Sequence, residues 1–231
     1  MQKSLKPTIR EAFVATMPVL AGYVVLGMGF GILLSSKGYS PLWSLAMSLF
    51  IYAGSMQYLA IDLLTGGASL ITAALTTLMV NARHLFYGIS MIDGYRGMGK
   101  KKPYAIFALT DETYSLVCQD DKHATREERQ TYAFWASLFN QTWWVTGSLI
   151  GAVLGQIIPF SVEGIDFALT ALFVTVFVEQ WLSTKDHASA IIGVAASVLC
   201  LLIFGADRFL IPAMAAIMIA LAVLRAVRKE A

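Results

Sequence analysis

Three polar residues, Asn81, Arg83 and His84, stand inside the apolar stretch 69–92 and are the best candidates for chemistry in this sequence. At about 1.5 Å per residue, this stretch is long enough to cross a bilayer as a helix. An arginine at that depth costs roughly 2.5 kcal/mol or more, so it persists where a partner charge, a cavity or a ligand compensates it. We therefore expect Arg83 to be functional, with a structural ion pair as the alternative. His84, taken alone, is expected to be a packing residue.

Three acidic side chains are candidates to neutralise this arginine, namely Asp111, Glu112 and Glu179. Asp111 and Glu112 are adjacent, and two neighbouring carboxylates in a low-dielectric site do not both ionise readily. One of them is therefore expected to hold a proton, which suits proton coupling. The alternative is that segment 103–118 is a surface hairpin whose carboxylates lie in water.

A second polar interruption falls in the apolar segment 41–64, where Gly54, Ser55, Met56 and Gln57 follow one another. Backbone unwinds at membrane depth only where it lines a cavity or is buried by protein. The Gly54–Ser55 pair is thus a candidate break whose amides can bind a carboxylate. The alternative is a close helix crossing that Gln57 bridges by a hydrogen bond.

The composition indicates a membrane protein with several spans. Hydrophobic residues make up 57% of the chain and charged residues 14%, whereas roughly 25% charged is usual in soluble domains. The net charge of +2 is scattered over short connections, which argues against a nucleic-acid partner. Cys118 and Cys200 have no metal-ligand spacing and are expected to be packing residues, and we expect no metal and no cofactor.

These elements predict an all-α membrane protein, a single transmembrane domain over 1–231 with about eight helical segments, some of them broken or re-entrant. We interpret the first segment as a span rather than a signal peptide. The segments lie at about 12–34, 41–64, 69–92, 103–118, 131–158, 165–183, 188–204 and 209–224.

An internal repeat of four segments plus four is predicted, with repeat one at about 12–118 and repeat two at about 131–224. Its signal is a recurring pattern at two nearly equal offsets. Residues 49–59 match 172–182 at an offset of 123, and Gly27 and Gly31, which are expected to pack helices closely, match Gly151 and Gly155 at an offset of 124.

The distribution of Lys and Arg predicts cytoplasmic termini. One cluster conflicts with eight crossings, because Arg96 and Lys100–Lys102 then fall on the side opposite to the termini. A re-entrant segment in each flanking region would bring this cluster to the cytoplasmic side.

The chain resembles the AzlC-type family, whose members are the large subunits of bacterial branched-chain amino acid exporters. The resemblance rests on Ala53-Gly54-Ser55-Met56-Gln57, on Asn81-Ala82-Arg83-His84 followed by Tyr87-Gly88, and on Leu109-Thr110-Asp111-Glu112-Thr113. It implies proton-driven export of valine, leucine, isoleucine and methionine, and a small AzlD-type membrane subunit as partner. Met56 stands where a smaller residue, usually alanine, is expected, which bears on pocket size and substrate choice.

The residues suit such a substrate in their own right, because a zwitterion needs a cation or amides for its carboxylate and an acid for its ammonium. We expect Arg83 or the amides around Gly54–Ser55 to bind the carboxylate, and Asp111 or Glu112 to meet the ammonium or carry the proton. The apolar wall is expected to consist of Met56, Phe86 and Trp143.

Two other function classes stay open at this stage. One is an uncoupled channel or structural subunit. The other is an intramembrane hydrolase built from Ser55, His84 and Asp111, which is disfavoured because such residues occur by chance in most chains of this length. We therefore expect no enzymatic activity.

Overall fold

The computed structural model describes residues 6–118, 123–158, 184–205 and 209–230, together with 167, 170, 171, 174, 177, 178, 181 and 182. Within these residues the fold is entirely helical, which confirms the all-α class. The chain divides into two compact units, Met1–Leu169 and Thr170–Ala231.

Nine α-helices and one short 3-10 helix are described in the first unit. They are α1 (Lys6–Ala15), α2 (Met17–Ser36), α3 (Pro41–Phe50), α4 (Gly54–Thr65), α5 (Leu70–Val80), α6 (Ala82–Ser90), the 3-10 helix (Gly99–Lys101), α7 (Lys102–Phe107), α8 (Asp111–Val117) and α9 (Arg126–Ile157). In the second unit, α10 (Ala188–Phe204) packs on α11 (Leu210–Glu230).

Helices α2 and α9 form the centre of the first unit and run side by side in the same direction. A Cβ at Gly31 or Gly151 would overlap the facing main chain, so only glycine allows this approach. The prediction that these glycines pack helices closely is confirmed. Three contacts pair residues in the same order along both helices: Gly147 with Val24, Gly151 with Met28, and Gly155 with Ile32.

The two residues in each of these pairs are 123 positions apart, which equals one offset of the sequence repeat. Parallel helices related by a twofold axis contact each other at equivalent positions. This register therefore supports a twofold axis that runs along the contact between α2 and α9 and relates the two helices. The repeat stays a prediction, because most of residues 159–183 lie outside the described part of the chain.

The glycine contact makes a stability prediction. We expect Gly151→Leu to lower the free energy of unfolding by at least about 1–3 kcal/mol, because the side chain would force α2 and α9 apart. Gly22→Ala is the matched control, since a Cβ there meets nothing within 4 Å. Thermal unfolding in detergent measures both variants. Equal melting of Gly151→Leu and the wild type would contradict the packing described above.

Residues 41–65 form the first hairpin, whose helix α3 runs along α9 towards the start of α9. Ser44 Oγ donates to Ser148 O at 3.0 Å, and the Oγ atoms of Ser48 and Ser148 lie 2.8 Å apart. Beyond them, Gln141 Nε2 donates to Leu49 O at 3.2 Å, about two turns closer to the start of α9.

The chain reverses at 51–53, where Tyr52 adopts a left-handed backbone with φ of 44°. Helix α4 then leads away again, and Tyr58 Oη donates to Leu26 O at 2.7 Å. The expected break at Gly54–Ser55 is therefore displaced. It lies just before Gly54, because the reversal at Tyr52 completes the turn and Gly54 is already the first helical residue.

Residues 102–118 form the second hairpin, which enters from the opposite direction. At its start, Lys101 Nζ stands 5.2 Å from the centre of the Phe134 ring near the beginning of α9. Farther along, Tyr104 Oη donates to Gln141 Oε1 at 2.7 Å. Gln141 thus contacts both hairpins, the first through its Nε2 and the second through its Oε1.

The second hairpin reverses at 108–110 and returns to the end from which it came. Asn140 Nδ2 donates to Thr113 Oγ1 at 2.9 Å in α8. Val117, at the end of α8, borders the same cavity as Arg126 and Ala133 at the start of α9. Segment 103–118 therefore consists of two short helices, α7 and α8, rather than one continuous helix.

The connection from 93 to 102 lies at the start of α9. Arg126 Nη2 donates to Asp93 O at 2.6 Å, and Gln130 Nε2 donates to Gly94 O at 3.1 Å and to Arg96 O at 2.8 Å. We call this end of the first unit the basic end, which carries Arg96, Lys100, Lys101, Lys102, Arg126 and Arg129.

Eight full crossings would separate the cluster at 96–102 from the residues that precede α9, which is the conflict noted in the sequence. In the first unit, the cluster and residues 123–130 both lie at the basic end, because the second hairpin leaves and re-enters there. Helix α1 is at the same end, since His123 Nε2 lies 2.9 Å from Glu11 Oε2.

The first four predicted segments are each divided rather than continuous. The interruptions lie at Thr16, at 51–53, at Asn81 and at 108–110. Among the described residues, α2 alone is long and apolar enough to span a bilayer by these two criteria. Helix α9 is longer, with 32 residues, but it is less apolar because it begins with several charged residues.

Candidate functional site

Arg83 joins the two hairpins through its guanidinium group. Its Nη2 donates to Ser55 Oγ at 2.9 Å, and Ser55 is buried in the first turn of α4. Its Nε lies 3.1 Å from Asp111 Oδ1, without an aligned hydrogen bond. The side chains of Arg83 and Asp111 are each 35% exposed, whereas the contacting Nε and Oδ1 atoms themselves are buried.

Local sequence explains why these groups stand at helix ends. Thr110 caps α8, and its Oγ1 accepts from Thr113 N at 3.4 Å. Asp111 and Glu112 follow in the first turn, where the helix dipole favours negative charge. Asn81 ends α5 and precedes α6, which places Arg83 in the first turn of α6.

Glu112 faces away from Arg83 into a buried polar network. Tyr23 Oη of α2 donates to Glu112 Oε2, and it also lies 2.9 Å from Thr110 Oγ1. Thr110 Oγ1 in turn donates to Thr113 Oγ1 at 3.2 Å, and Thr113 accepts from Asn140. The two adjacent carboxylates therefore have different environments: Asp111 pairs with a cation, and Glu112 with a phenol.

A third group of polar side chains ties the first hairpin to α9. Trp144 Nε1 donates to Gln57 Oε1 at 2.9 Å, and Gln57 Nε2 donates to Ser48 Oγ at 3.1 Å. The Trp144 ring covers Gly54 so closely that a Cβ there would lie 2.9 Å from Cη2. Gln57 thus forms a hydrogen bond across a close contact between α4 and α9, and α4 begins at Gly54. A helix break and a close helix crossing, the two alternatives weighed in the sequence analysis, are therefore both present.

The other predicted site residues differ in their exposure and contacts. Met56 is buried, with 4% exposure, whereas Phe86 is 65% exposed. The His84 ring packs edge-on against Tyr87 at 5.9 Å, which agrees with a packing residue. Asn81 Oδ1 is buried and accepts no hydrogen bond from the described residues. Glu179 lies outside the described residues.

Trp143 is not brought to the other predicted residues. Its Nε1 donates to Thr16 Oγ1 at 3.3 Å, and its ring stacks on Phe139. Trp144, one residue later, instead contacts Gln57 and Gly54 of the first hairpin, because one step along a helix turns the side chain by about 100°.

Tyr23, Thr110 and Thr113 are site neighbours that the sequence analysis missed. A buried hydroxyl group requires a hydrogen-bond partner, and all three residues are buried. For Tyr23, a hydroxyl group within an otherwise apolar helix was the signal that the sequence offered. Tyr23 lies 87 residues from Thr110 and 89 from Glu112, and Thr113 lies 27 residues from Asn140, so the sequence did not identify these pairs.

The site offers a cation, two carboxylates and hydroxyl groups, but it does not have the arrangement of a hydrolase. Ser55 Oγ accepts a hydrogen bond from the Arg83 guanidinium, which cannot act as a general base. No group of three or more potential metal ligands occurs among the described residues. The arrangement suits reversible binding of a small zwitterion.

Several known proteins are similar to this chain over most of its length. The family model described as AzlC protein matches residues 18–158. The chain is 45% identical to the Bacillus subtilis protein named branched-chain amino acid transport protein AzlC over 216 residues, which are 94% of this chain and 85% of that protein. It is 39% identical to a Helicobacter pylori protein named an uncharacterized membrane protein, with 97% and 98% of the two chains covered.

A more distant relative is the Escherichia coli inner membrane protein YgaZ, which is 30% identical over 174 residues, covering 73% of this chain and 71% of that protein. No solved structure matches the chain. The family model covers more than half of the chain, and its residues include Arg83, Asp111 and Glu112. The chain therefore belongs to the AzlC family of membrane transport proteins.

Proposed function

We propose that this chain is the large subunit of a secondary transporter that exports branched-chain amino acids across the bacterial inner membrane in exchange for protons. Valine, leucine and isoleucine are the main substrates, with methionine as a further candidate. The family, and the name of the Bacillus subtilis relative, support the substrate class. The observation that carries the proposal is the partly exposed ion pair between Arg83 and Asp111.

The chain crosses the membrane several times, with the basic end in the cytoplasm. An excess of Lys and Arg in short connections favours that side. In this topology, the first hairpin is re-entrant from the outside and the second from the inside. The reversal of the second hairpin then lies near the level of Asn140, about 21 Å along α9 from Arg126. Opposed broken segments that meet at mid-membrane are typical of transporter binding sites.

The substrate binds by replacing the contacts within the ion pair. Its carboxylate accepts hydrogen bonds from the Arg83 guanidinium and from the first backbone amides of α4, which have no partners within the helix. Its ammonium meets Asp111 and the Asn81 Oδ1. Because Arg83 and Asp111 neutralise each other when no substrate is present, neither charge is left unpaired in the low-dielectric site.

Glu112 carries the proton. It is separated from Arg83 by its turn towards Tyr23, so it is not neutralised by the guanidinium and can be protonated independently of substrate binding. The Tyr23 hydroxyl holds the carboxylate in place in either protonation state, because a phenol can donate to a carboxylate or accept from a carboxylic acid.

A small AzlD-type membrane subunit is the proposed partner, on the basis of the family resemblance alone. Exposed apolar side chains on α5 and α6 are compatible with contact to lipid or to such a subunit.

Reconstitution into liposomes tests the function. Liposomes are loaded with valine and diluted into valine-free buffer, with and without the small subunit, and internal pH is followed with a dye. We expect valine efflux with acidification of the lumen, and no such response with lysine. Valine efflux without proton movement would instead support an uncoupled channel, and no efflux under either condition would contradict the proposal.

A further inference from the structure

A cavity of about 490 Å³ opens at the basic end of the first unit. It is bordered by the last residues of α6, the last residues of α8 and the first turns of α9. Arg126 and Arg129 contribute positive charge to its wall, and Asp93, the one acidic residue in the wall among the residues that the structure describes, lies 3.7 Å from Arg96. Ser90, Val117, Cys118, Arg126 and Arg129 are among the residues that line it.

Helices α6 and α8 lie side by side between this cavity and the ion pair. Their contacts advance in the same order, from Arg83 with Asp111 to Tyr87 with Tyr114. The two tyrosine rings are stacked, with their centres 4.5 Å apart and their planes at 14°. Beyond them, Ser90 Oγ donates to Tyr114 Oη at 3.1 Å, and Ser90 already borders the cavity.

We propose that the cavity is the cytoplasmic vestibule of the transport pathway and that the stacked Tyr87 and Tyr114 rings are its gate. This inference rests on the proposed function for the identity of the ligand, a zwitterionic amino acid. Arg126 and Arg129 attract its carboxylate into the vestibule, and Arg83 receives the same carboxylate at the inner end. The tyrosine pair separates these two cationic positions.

The geometry gives the gate a simple motion. α6 and α8 are each short, and each begins at an interruption, at Asn81 and at 108–110 respectively. A small rotation at either interruption would unstack the rings without disturbing the glycine contact between α2 and α9. The gate would therefore move on short elements while the central helices stay fixed.

Thiol accessibility tests the gate without any need for transport. Ser55→Cys is placed in a Cys118→Ser, Cys200→Ser background, in inside-out vesicles that expose the basic end to a membrane-impermeant thiol reagent. We expect slow labelling with the tyrosines intact and labelling about two- to tenfold faster with Tyr114→Ala, because an aromatic stack of ordinary strength is lost. Tyr87→Leu replaces Tyr114→Ala if the latter does not accumulate.

Tyr39→Ala is the matched control, because Tyr39 packs edge-on against Trp43 at 5.7 Å, away from the vestibule, and its loss should leave the labelling rate unchanged. Equal labelling rates for Ser55→Cys with and without both tyrosines would overturn the gate. Amino acid flux does not enter this measurement, so failure of the proposed function and failure of the gate are distinguishable.

Cys118 tests the vestibule, since it is an exposed thiol that borders the cavity. In a Cys200→Ser background we expect the reagent to label Cys118 in inside-out vesicles and not in right-side-out vesicles. Modification of Cys118 by a bulky anionic reagent should then block transport, while Cys118→Ser transports normally and resists the reagent. Labelling from the opposite face, or modification without any effect on transport, would overturn the assignment.

Discussion

Arg83→Ala is expected to lower valine efflux from proteoliposomes about 10- to 100-fold, because a hydrogen bond to a charged group contributes about 1.5–3 kcal/mol. Arg83 contacts both hairpins, Asp111 through its charge and Ser55 through a hydrogen bond. Arg83→Lys should restore only part of the rate, since an ammonium has no planar fork that reaches both groups together. Lys37→Ala, which removes an exposed cation at the end of α2, is the matched control.

A purely structural ion pair would also make Arg83→Ala less active, so the double variant Arg83→Gln, Asp111→Asn separates the two roles. It leaves no unpaired charge and keeps similar side-chain shapes, so we expect it to melt close to the wild type. It should nevertheless fail to transport, because neither end of the zwitterion finds its counter-charge. Wild-type efflux by the double variant would show that the pair does not bind substrate.

Glu112→Gln is expected to abolish substrate-driven proton movement while leaving exchange of labelled for unlabelled valine intact. The amide keeps the shape of the side chain and can still accept the hydrogen bond from Tyr23, but it cannot take up a proton. Parallel measurement of internal pH and of radiolabelled valine exchange in the same proteoliposomes checks both halves of this expectation.

Glu127→Gln is the control for this variant, because Glu127 is an exposed carboxylate in the first turn of α9. It should leave proton movement and exchange unchanged. If Glu112→Gln retained proton-coupled efflux, the proton carrier would have to be another group.

Tyr23→Phe tests whether the phenol positions Glu112. This variant should lower the rate of proton-coupled efflux without abolishing it, because Glu112 is still present to take up the proton.

The position of the breaks was predictable only in part. Apolar periodicity does not distinguish one long helix from two short ones, and the segments at 41–64 and 69–92 therefore read as single spans. The polar run beginning at Gly54 marked the right neighbourhood, but the reversal itself is at Tyr52, a residue type with no turn propensity. A left-handed tyrosine is accepted there because its buried ring packs among the residues around Trp144.

Local sequence also could not predict that Trp144 rather than Trp143 contacts Gln57. Nor could it predict that Asp111 rather than Glu112 pairs with Arg83. In both cases two adjacent residues of similar chemistry point in directions about 100° apart on a helix. Which one faces the site depends on the rotation of α9 and α8 about their axes. That rotation is set by contacts distant in the chain, such as Asn140 with Thr113 and Tyr23 with Thr110.

The sequence by itself determined that this is an all-helical membrane protein, and it predicted that Arg83 requires an acidic partner. These follow from the cost of placing a charge among apolar residues, which is a property of each segment alone. Only the tertiary structure decided that the second hairpin returns to the basic end, that Asp111 meets Arg83 and that Glu112 turns to Tyr23. Those outcomes depend on the packing of α2, α8 and α9 against one another, and no single segment contains that information.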